Sequence, residues 1–409
     1  MTGEIKRPKV VTVNCYNRMG STGKIIEDVD SFCQDSFSFA RIYEYEQTPD
    51  VRPDSYRVTN KVQQFFYYYL NRWTGYKYCT GLLPTTRAIH VIKKLNPAIV
   101  HLHCPNMGMI NITRLMRFLR KRNIPTVITN HAEFYYTGNC PHAFDCKKYM
   151  TGCGKCDYVF DPIRNYRFDR TAYEWKLMKR AFEGWKKVVV VSVSPWQQAR
   201  SAASPIMEGI EQRLVLNGVD ETVFYRRKDA ELQAIREQGY QKVIVHVTAN
   251  FTNDPNDLKN GRAVIELAKR LPQYAFVVVG PNHVAEELPP NIIPYGWVSD
   301  QEYLAKLYSD ADLTLITSKR ETFGMSCAES LCCGTPVAGF QAGGPETIAL
   351  QEYSEFVRFG DIEQLSNAVD NWVRKKLDRS VIAEQAFSVY RKTNMGYGYK
   401  EIYGELLKD

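Results

Sequence analysis

No stretch of the 409 residues approaches the ~20 consecutive apolar positions needed to cross a bilayer. The opening, MTGEIKRPKVVTVNC, is charged but carries no apolar run long enough for a secretory leader. Low-complexity tracts are equally scarce, and a hydrophobic content of 44% speaks for folded structure throughout. These absences argue against an integral membrane, secreted or disordered protein and lead us to expect a cytoplasmic one. In that compartment the eleven cysteines are read as thiols or metal ligands before disulfides. The length is too great for one ordinary core, so two domains of roughly 200 residues are expected. Acidic residues are short in the first half: 31 Lys and Arg face 18 Asp and Glu over residues 1–212, a balance of +13, against 22 and 27, or −5, over 213–409. A half this basic should meet something acidic. Nucleic acid, an anionic membrane surface and a lipid-linked phosphate are the candidates, with a solvated basic face as the plain alternative.

The most informative stretch is Asp312 to Ile348, DLTLITSKRETFGMSCAESLCCGTPVAGFQAGGPETI. Leu313 to Thr317 reads as a buried parallel strand, because apolar residues follow one another without polar alternation. A loop with Glu321, Phe323 and Gly324 leads into a helix whose apolar and small residues, from Met325 to Cys332, end at Gly334. A second strand, Thr335 to Phe340, runs to Gly343 and Gly344 and a helix opened by Pro345. Two such turns present two helix N-termini at the carboxyl edge of one sheet, which predicts a phosphate site. Glu321 and Glu329, eight residues apart, would repel a phosphate but can accept hydrogen bonds from sugar hydroxyls. The spacing E-(x)7-E followed by CGTPVAGFQAGGPETI closely resembles the donor site of retaining glycosyltransferases of family 4, which have the GT-B fold.

Along the first half, Lys9 to Cys15 has the pattern of a buried strand and is followed by a loop, Asn17 to Lys24, and a helix. Two residues, not four, separate Gly20 from Gly23, and Ile25 follows Lys24, so this is no nucleotide-triphosphate P-loop. By the resemblance, Gly20, Ser21, Gly23 and Lys24 approach donor phosphates or acceptor. Phe39–Tyr45 is a further strand. Lys61 to Cys79 is dense in aromatics interleaved with Lys61, Arg72 and Lys77; it suits either the headgroup zone of a bilayer or a helix packed on the core. A basic helix, Arg114 to Arg122, is nearby in sequence. Strands Ala98–Cys104 and Pro125–His131 bring His103 and His131 to a carboxyl edge, where ligands bind in such sheets. The family's Thr-x-His-Asp is here Thr129-Asn130-His131-Ala132, so the Asp is lacking and Glu133 is the candidate stand-in. Cys140, Cys146, Cys153 and Cys156 lie within 17 residues and fit a tetrahedral structural zinc, with disulfides or free thiols as alternatives. The segment also resembles an insertion in family 4 enzymes that build colanic acid and capsular polysaccharides.

Helix Asp169–Glu183 and strand Lys187–Val193 close the first domain, and Leu214–Asp220 resembles the crossover into the second. There the rhythm continues with strand Val243–Thr248, helix Asp257–Lys269, strands Ala275–Gly280 and Ile292–Tyr295, and helix Asp300–Tyr308. Lys259-Asn260-Gly261 matches the family's pyrophosphate-binding Lys-Gly, while the usual companion arginine is missing; Arg262 or Lys319 is the candidate replacement. Asp310-Ala311-Asp312 is read as incidental. The tail from Ser380 has helical apolar spacing, and by the resemblance its last helix returns to the first domain.

The resulting expectation is an α/β protein of GT-B class: two facing Rossmann-like domains with an interdomain cleft. The acceptor domain would span 1–212, with a Cys-rich loop at 132–166 and a C-terminal helix at 389–409, and the donor domain 213–388. The activity implied by the resemblance is retaining transfer from a UDP- or GDP-sugar to a saccharide, without a metal; the basic, aromatic first domain adds the expectation of a polyprenyl-diphosphate-linked acceptor at an anionic membrane surface. Glu321, His131 and Lys259 would be catalytic. Glu329, Phe323, Gly324, Met325, Arg262, Lys319, Gly343, Gly344, Gly20 and Ser21 would join Lys259 in holding the donor, and His103, His131, Glu133 and Lys24 the acceptor. The alternatives are a nucleotide- or RNA-binding protein and a nucleotide-sugar epimerase, though nucleic acid is not the expected partner.

Overall fold

The structure, a computed structural model, describes residues 7–18, 20–45, 53–158, 167–228 and 230–408. Met19 in the first loop and residues 159–166 of the Cys-rich loop therefore lie outside the described residues. The chain forms two units, Met1–Leu216 with Met395–Asp409, and Asn217–Asn394.

In the first unit, strands β1 (Lys9–Tyr16), β2 (Ser38–Tyr45), β3 (Ser55–Arg57), β4 (Ile99–Leu102), β5 (Thr126–Asn130), β6 (Val188–Ser192) and β7 (Glu211–Leu214) form one sheet in the order β3-β2-β1-β4-β5-β6-β7. Every pairing is parallel, with Val13 opposite Leu102 and Asn130 opposite Ser192. β4, β5 and β6 are buried along their whole length, which is why IVHL, TVITN and VVVVS show little polar alternation. Successive side chains serve opposite cores. Val11, Val13, Leu102, Ile128 and Val190 pack with Leu115, Leu119 and Phe182, while Val10, Ile99, Val127, Val189 and Val191 pack with Tyr399, Ile402, Tyr403 and Leu406. The second core is thus completed by the far end of the chain, in the helix Lys392–Leu406. At roughly 1.5–3 kcal/mol for each fully buried aliphatic or aromatic side chain, that helix is a major contributor to the unit's stability. Helices α1 (Gly20–Cys33), α2 (Lys61–Thr74), α3 (Leu82–Leu95) and α4 (Ile112–Lys121) connect the strands up to β5.

The second unit repeats the plan with β8 (Lys242–Val247), β9 (Tyr274–Val279), β10 (Ile292–Gly296), β11 (Leu313–Ile316), β12 (Val337–Phe340) and β13 (Ser354–Val357), ordered β10-β9-β8-β11-β12-β13 and parallel throughout. The helix expected from Asp257 starts only at Gly261. Asp257 instead accepts the Lys259 N–H at 3.1 Å, and Asn260 is left-handed at φ 54°, so the chain turns before it coils. Asp310 and Asp312 pair with Arg236, and Asp312 also with Lys242, a knot at the opposite, amino end of β11. In each sheet the strand order reverses once, between β1 and β4 and between β8 and β11. The carboxyl ends at such a reversal open a crevice where ligands bind.

Candidate functional site

At the β8–β11 reversal three loops are bonded into one platform. The loop after β8 meets the loop after β11 through Lys319 N–H to Leu258 O at 2.8 Å, Thr317 Oγ1 to Lys259 O at 2.8 Å and Asn260 Nδ2 to Thr317 O at 3.2 Å. The loop after β11 meets the loop after β12 through Glu321 N–H to Ala342 O at 3.0 Å and Gly344 N–H to Glu321 O at 2.9 Å. On this platform Lys259 Nζ donates to Glu321 Oε1 at 2.5 Å, and Ser318 Oγ donates to the same oxygen at 2.9 Å. Burial lowers the Lys259 pKa, but the Glu321 carboxylate outweighs it and the net shift is upward, so the ammonium is fixed in its charged form. A cation and a hydroxyl-accepting carboxylate thus stand side by side, each partly exposed.

Gly324 caps the helix Met325–Cys332 in a left-handed conformation, φ 91°. A Cβ there would lie 2.7 Å from Pro345 Cγ, so the close loop contact requires glycine. The N–H groups of Met325 and Ser326, in the first turn, have no intrahelical acceptor by the geometry of a helix, and they form the anion-attracting end expected from the sequence. Glu329 is one turn further on, partly exposed, with the buried Tyr308 hydroxyl 3.4 Å from its Oε2.

The second expected helix end is different. Glu346 reaches back to accept from Gly343 N–H at 2.7 and 2.9 Å and from Ala342 N–H at 3.0 Å, and Gly344 N–H is spent on Glu321 O. The Gly343–Gly344 turn is therefore already capped by a carboxylate and offers no free donors to a phosphate, correcting that assignment. Phe323 is corrected too: it is 2% exposed, so its side chain packs inside the protein and does not face a donor. Lys319 gives its ammonium to the Pro255 carbonyl, whereas Arg262 is exposed on the first turn of the helix Gly261–Arg270. Arg320, beside Glu321 with Nη1 3.5 Å from Ala342 O, is a further cation on the platform. Nothing in the local sequence marks it, because the contact spans two loops.

In the first unit the β1–β4 reversal carries Gly20 and Ser21, exposed at the start of α1, and Lys24 one turn in. Cys104 N–H donates to Asn14 Oδ1 at 3.2 Å, joining the two strand ends. His103 Nδ1 lies 3.0 Å from His131 Nε2, and the rings of His101 and His103 are 3.8 Å apart. Burial holds His101 and His103 well below the usual imidazole pKa and His131 at about 4, so the three are neutral. His101 is fully engaged, with Tyr403 Oη at 2.7 Å and Thr129 Oγ1 at 2.8 Å, and of these three histidines His131 alone is partly exposed.

Glu133 does not replace the missing Asp. Its carboxylate is wholly buried, accepts hydrogen bonds from Arg200 Nε at 2.9 Å and Ala143 N–H at 2.9 Å, is ion-paired with Arg200 Nη2 at 2.8 Å, and is thus committed to contacts inside the protein. It staples the Cys-rich loop instead, as does Trp175 Nε1 donating to Tyr149 O at 2.9 Å. The zinc expectation is not supported. No disulfide joins the eleven cysteines, the Cys153 thiol donates to Thr137 O at 3.6 Å, and among the described residues no three His, Cys, Asp or Glu side chains are placed to hold a metal ion.

Two parallel-sheet units, each with a site at its strand-order reversal, define the class of two-domain GT-B glycosyltransferases. Residues 45–195 match the sequence model of Glycosyltransferase Family 4, and residues 253–389 that of Glycosyl transferases group 1. The chain belongs to these glycosyltransferases. It is 21% identical over 293 residues, 67% of this chain and 69% of the other, to an Escherichia coli (strain K12) protein, WcaC, described as a colanic acid biosynthesis glycosyl transferase. Among solved structures, sucrose-phosphate synthase from Thermosynechococcus elongatus shares the fold with a TM-score of 0.70 at 16% identity, covering 98% of this chain and 100% of the other. Anabaena HepE in complex with UDP-glucose gives 0.65 at 13%, with the same coverage.

Proposed function

We propose that the chain transfers a sugar, with retention at the anomeric carbon and without a metal, from a nucleotide diphosphate sugar to a saccharide acceptor in surface polysaccharide biosynthesis. The observation that carries this reading is the Lys259–Glu321 pair on its three-loop platform. A glycosyl diphosphate needs a cation for its phosphates and, a few bonds further along, an acceptor for sugar hydroxyls, and these groups stand 2.5 Å apart. Lys259 and the first turn at Met325 and Ser326 then take the diphosphate, Glu321 the sugar hydroxyls and Glu329 the ribose. As the glycosidic C–O bond breaks, negative charge grows on the departing phosphate, and the fixed ammonium and helix N–H groups stabilise it without rearrangement. A glycosidase holds its two carboxylates across the sugar; here one carboxylate is instead tied to a lysine. In the first unit His131, held by His103, would meet the acceptor or the donor sugar. The capsular or colanic context of the WcaC relative and the basic first half favour a polyprenyl-diphosphate-linked acceptor at the inner membrane face, and the UDP-glucose complex of HepE favours a uridine donor.

The test is a thermal-shift screen of UDP- and GDP-sugars, followed by product analysis with the ligand that raises the melting temperature most. A retained anomeric configuration by proton NMR, unaffected by EDTA, is expected. Inversion, loss of activity with chelator, or no nucleotide binding at millimolar concentration would each overturn its part of the reading.

A further inference from the structure

Helix α2 wears its apolar stripe on the outside. Val62, Phe65, Phe66, Tyr69 and Trp73 recur at helical spacing along one face and are 54–77% exposed. The side turned to the protein is held by polar contacts beside the half-buried Tyr67 and Leu70: Asn71, the one buried residue of α2, donates from Nδ2 to Gly108 O at 2.9 Å, and Gln64 Nε2 donates to Thr59 Oγ1 at 3.0 Å and Glu44 O at 3.3 Å. The helix is nevertheless firmly built, with an Asn60–Gln63 capping box at its start and a left-handed Gly75 at its end. Leu83, 50% exposed, extends the patch from α3, where Arg87 one turn later bonds Gln63 at 2.8 Å.

What covers this face is indicated by charge. From Ser55 to Ala132 the chain has twelve Lys and Arg residues and not one Asp or Glu. α2, α3 and α4 all lie inside that acid-free stretch. A second copy docking here by two-fold symmetry would set cations against cations. An anionic bilayer suits both features, because Tyr, Trp and Phe seat in the headgroup zone while Lys and Arg meet the phosphates. We propose that α2, with the start of α3, is a membrane-docking face that lies in the plane of an anionic bilayer with the Val62–Trp73 stripe inserted. It rests on the lipid-linked acceptor reading above only for its purpose, bringing the enzyme to that acceptor, and not for the binding itself.

The experiment is co-sedimentation of the full chain with vesicles of phosphatidylcholine alone or mixed with phosphatidylglycerol, at low and high salt. Binding to the anionic vesicles that high salt weakens is expected. The double variant Phe65→Glu/Phe66→Glu should lower partitioning at least about tenfold. Its melting temperature and nucleotide-induced thermal shift should stay as in the wild type, because both side chains are exposed. Indifference of the wild type to phosphatidylglycerol, or undiminished binding by the variant, would overturn the proposal. So would a solution dimer that the variant dissociates, since the face would then be a protein interface. Vesicle binding without any nucleotide-induced shift would leave this surface standing and remove the transferase reading instead.

Discussion

Replacing Glu321 by Gln tests the site most sharply, because it removes one charge and almost no volume. In the unliganded protein the loss is small: the Lys259–Glu321 pair is part-exposed, 34% and 23% for the two side chains, so the pair contributes about 0.2–1 kcal/mol. A melting-temperature change of no more than about 2–4 °C follows. The effect on transfer is larger. A hydrogen bond from a sugar hydroxyl to an ionised carboxylate contributes about 1.5–3 kcal/mol, and losing it in the transition state lowers turnover roughly tenfold to a hundredfold. Affinity for UDP should move the other way or not at all. Glu321 competes with the diphosphate for the Lys259 ammonium, and Gln competes less. Steady-state turnover of donor, with acceptor or by hydrolysis, and titration calorimetry with UDP measure the two arms. Turnover within twofold of wild type, or UDP affinity falling in step with turnover, would refute the assignment of Glu321 to the sugar and Lys259 to the diphosphate.

Lys259→Gln should show the complementary pattern, weakening UDP at least about tenfold by calorimetry through loss of a charged hydrogen bond. Gly324→Ala should destabilise the second unit by about 1–3 kcal/mol in urea denaturation, since the residue would have to hold φ 91° against Pro345. Glu133→Gln leaves the partly exposed Arg200 beside a neutral partner and should cost about 1.5–3 kcal/mol, the contribution of a charged hydrogen bond, read by the same denaturation. Acid should destabilise through the buried histidines. His246 is held at about 4 by burial, below its unfolded value, so the stability it contributes is present above pH 6.5 and lost as pH falls toward 4. That window is worth about 3 kcal/mol for His246 alone, and a His246→Gln variant should lose correspondingly less between pH 7 and pH 4.

Much of the fold was legible because parallel strands buried on both faces leave uninterrupted apolar runs, as in Leu313–Ile316 and Val188–Val191. The loops bearing Lys259 and Glu321 could be read for the same reason, each being fixed to the end of such a strand. The sequence did not reveal contacts made at a distance. Arg200, 67 positions after Glu133, turns a candidate acceptor contact into an internal staple. Glu346 closes the glycine turn with a carboxylate that, seen locally, looks like an ordinary first-turn acid. The four cysteines have a suggestive spacing, but spacing says nothing of where a thiol points, and Cys153 points to a carbonyl.

The interruption of the first unit by the second has a consequence for biosynthesis. Tyr399, Ile402 and Tyr403, which complete one face of the β1–β6 sheet, leave the ribosome after the whole of Asn217–Asn394. The later-encoded unit is continuous in the chain and can reach its native state during translation, whereas the earlier one must wait, one face of its sheet uncovered, for Met395–Leu406 to arrive. Nonsense mutations or proteolytic clipping within Met395–Leu406 should therefore damage the unit built on Met1–Leu216 and spare Asn217–Asn394, which is adjacent to the cut.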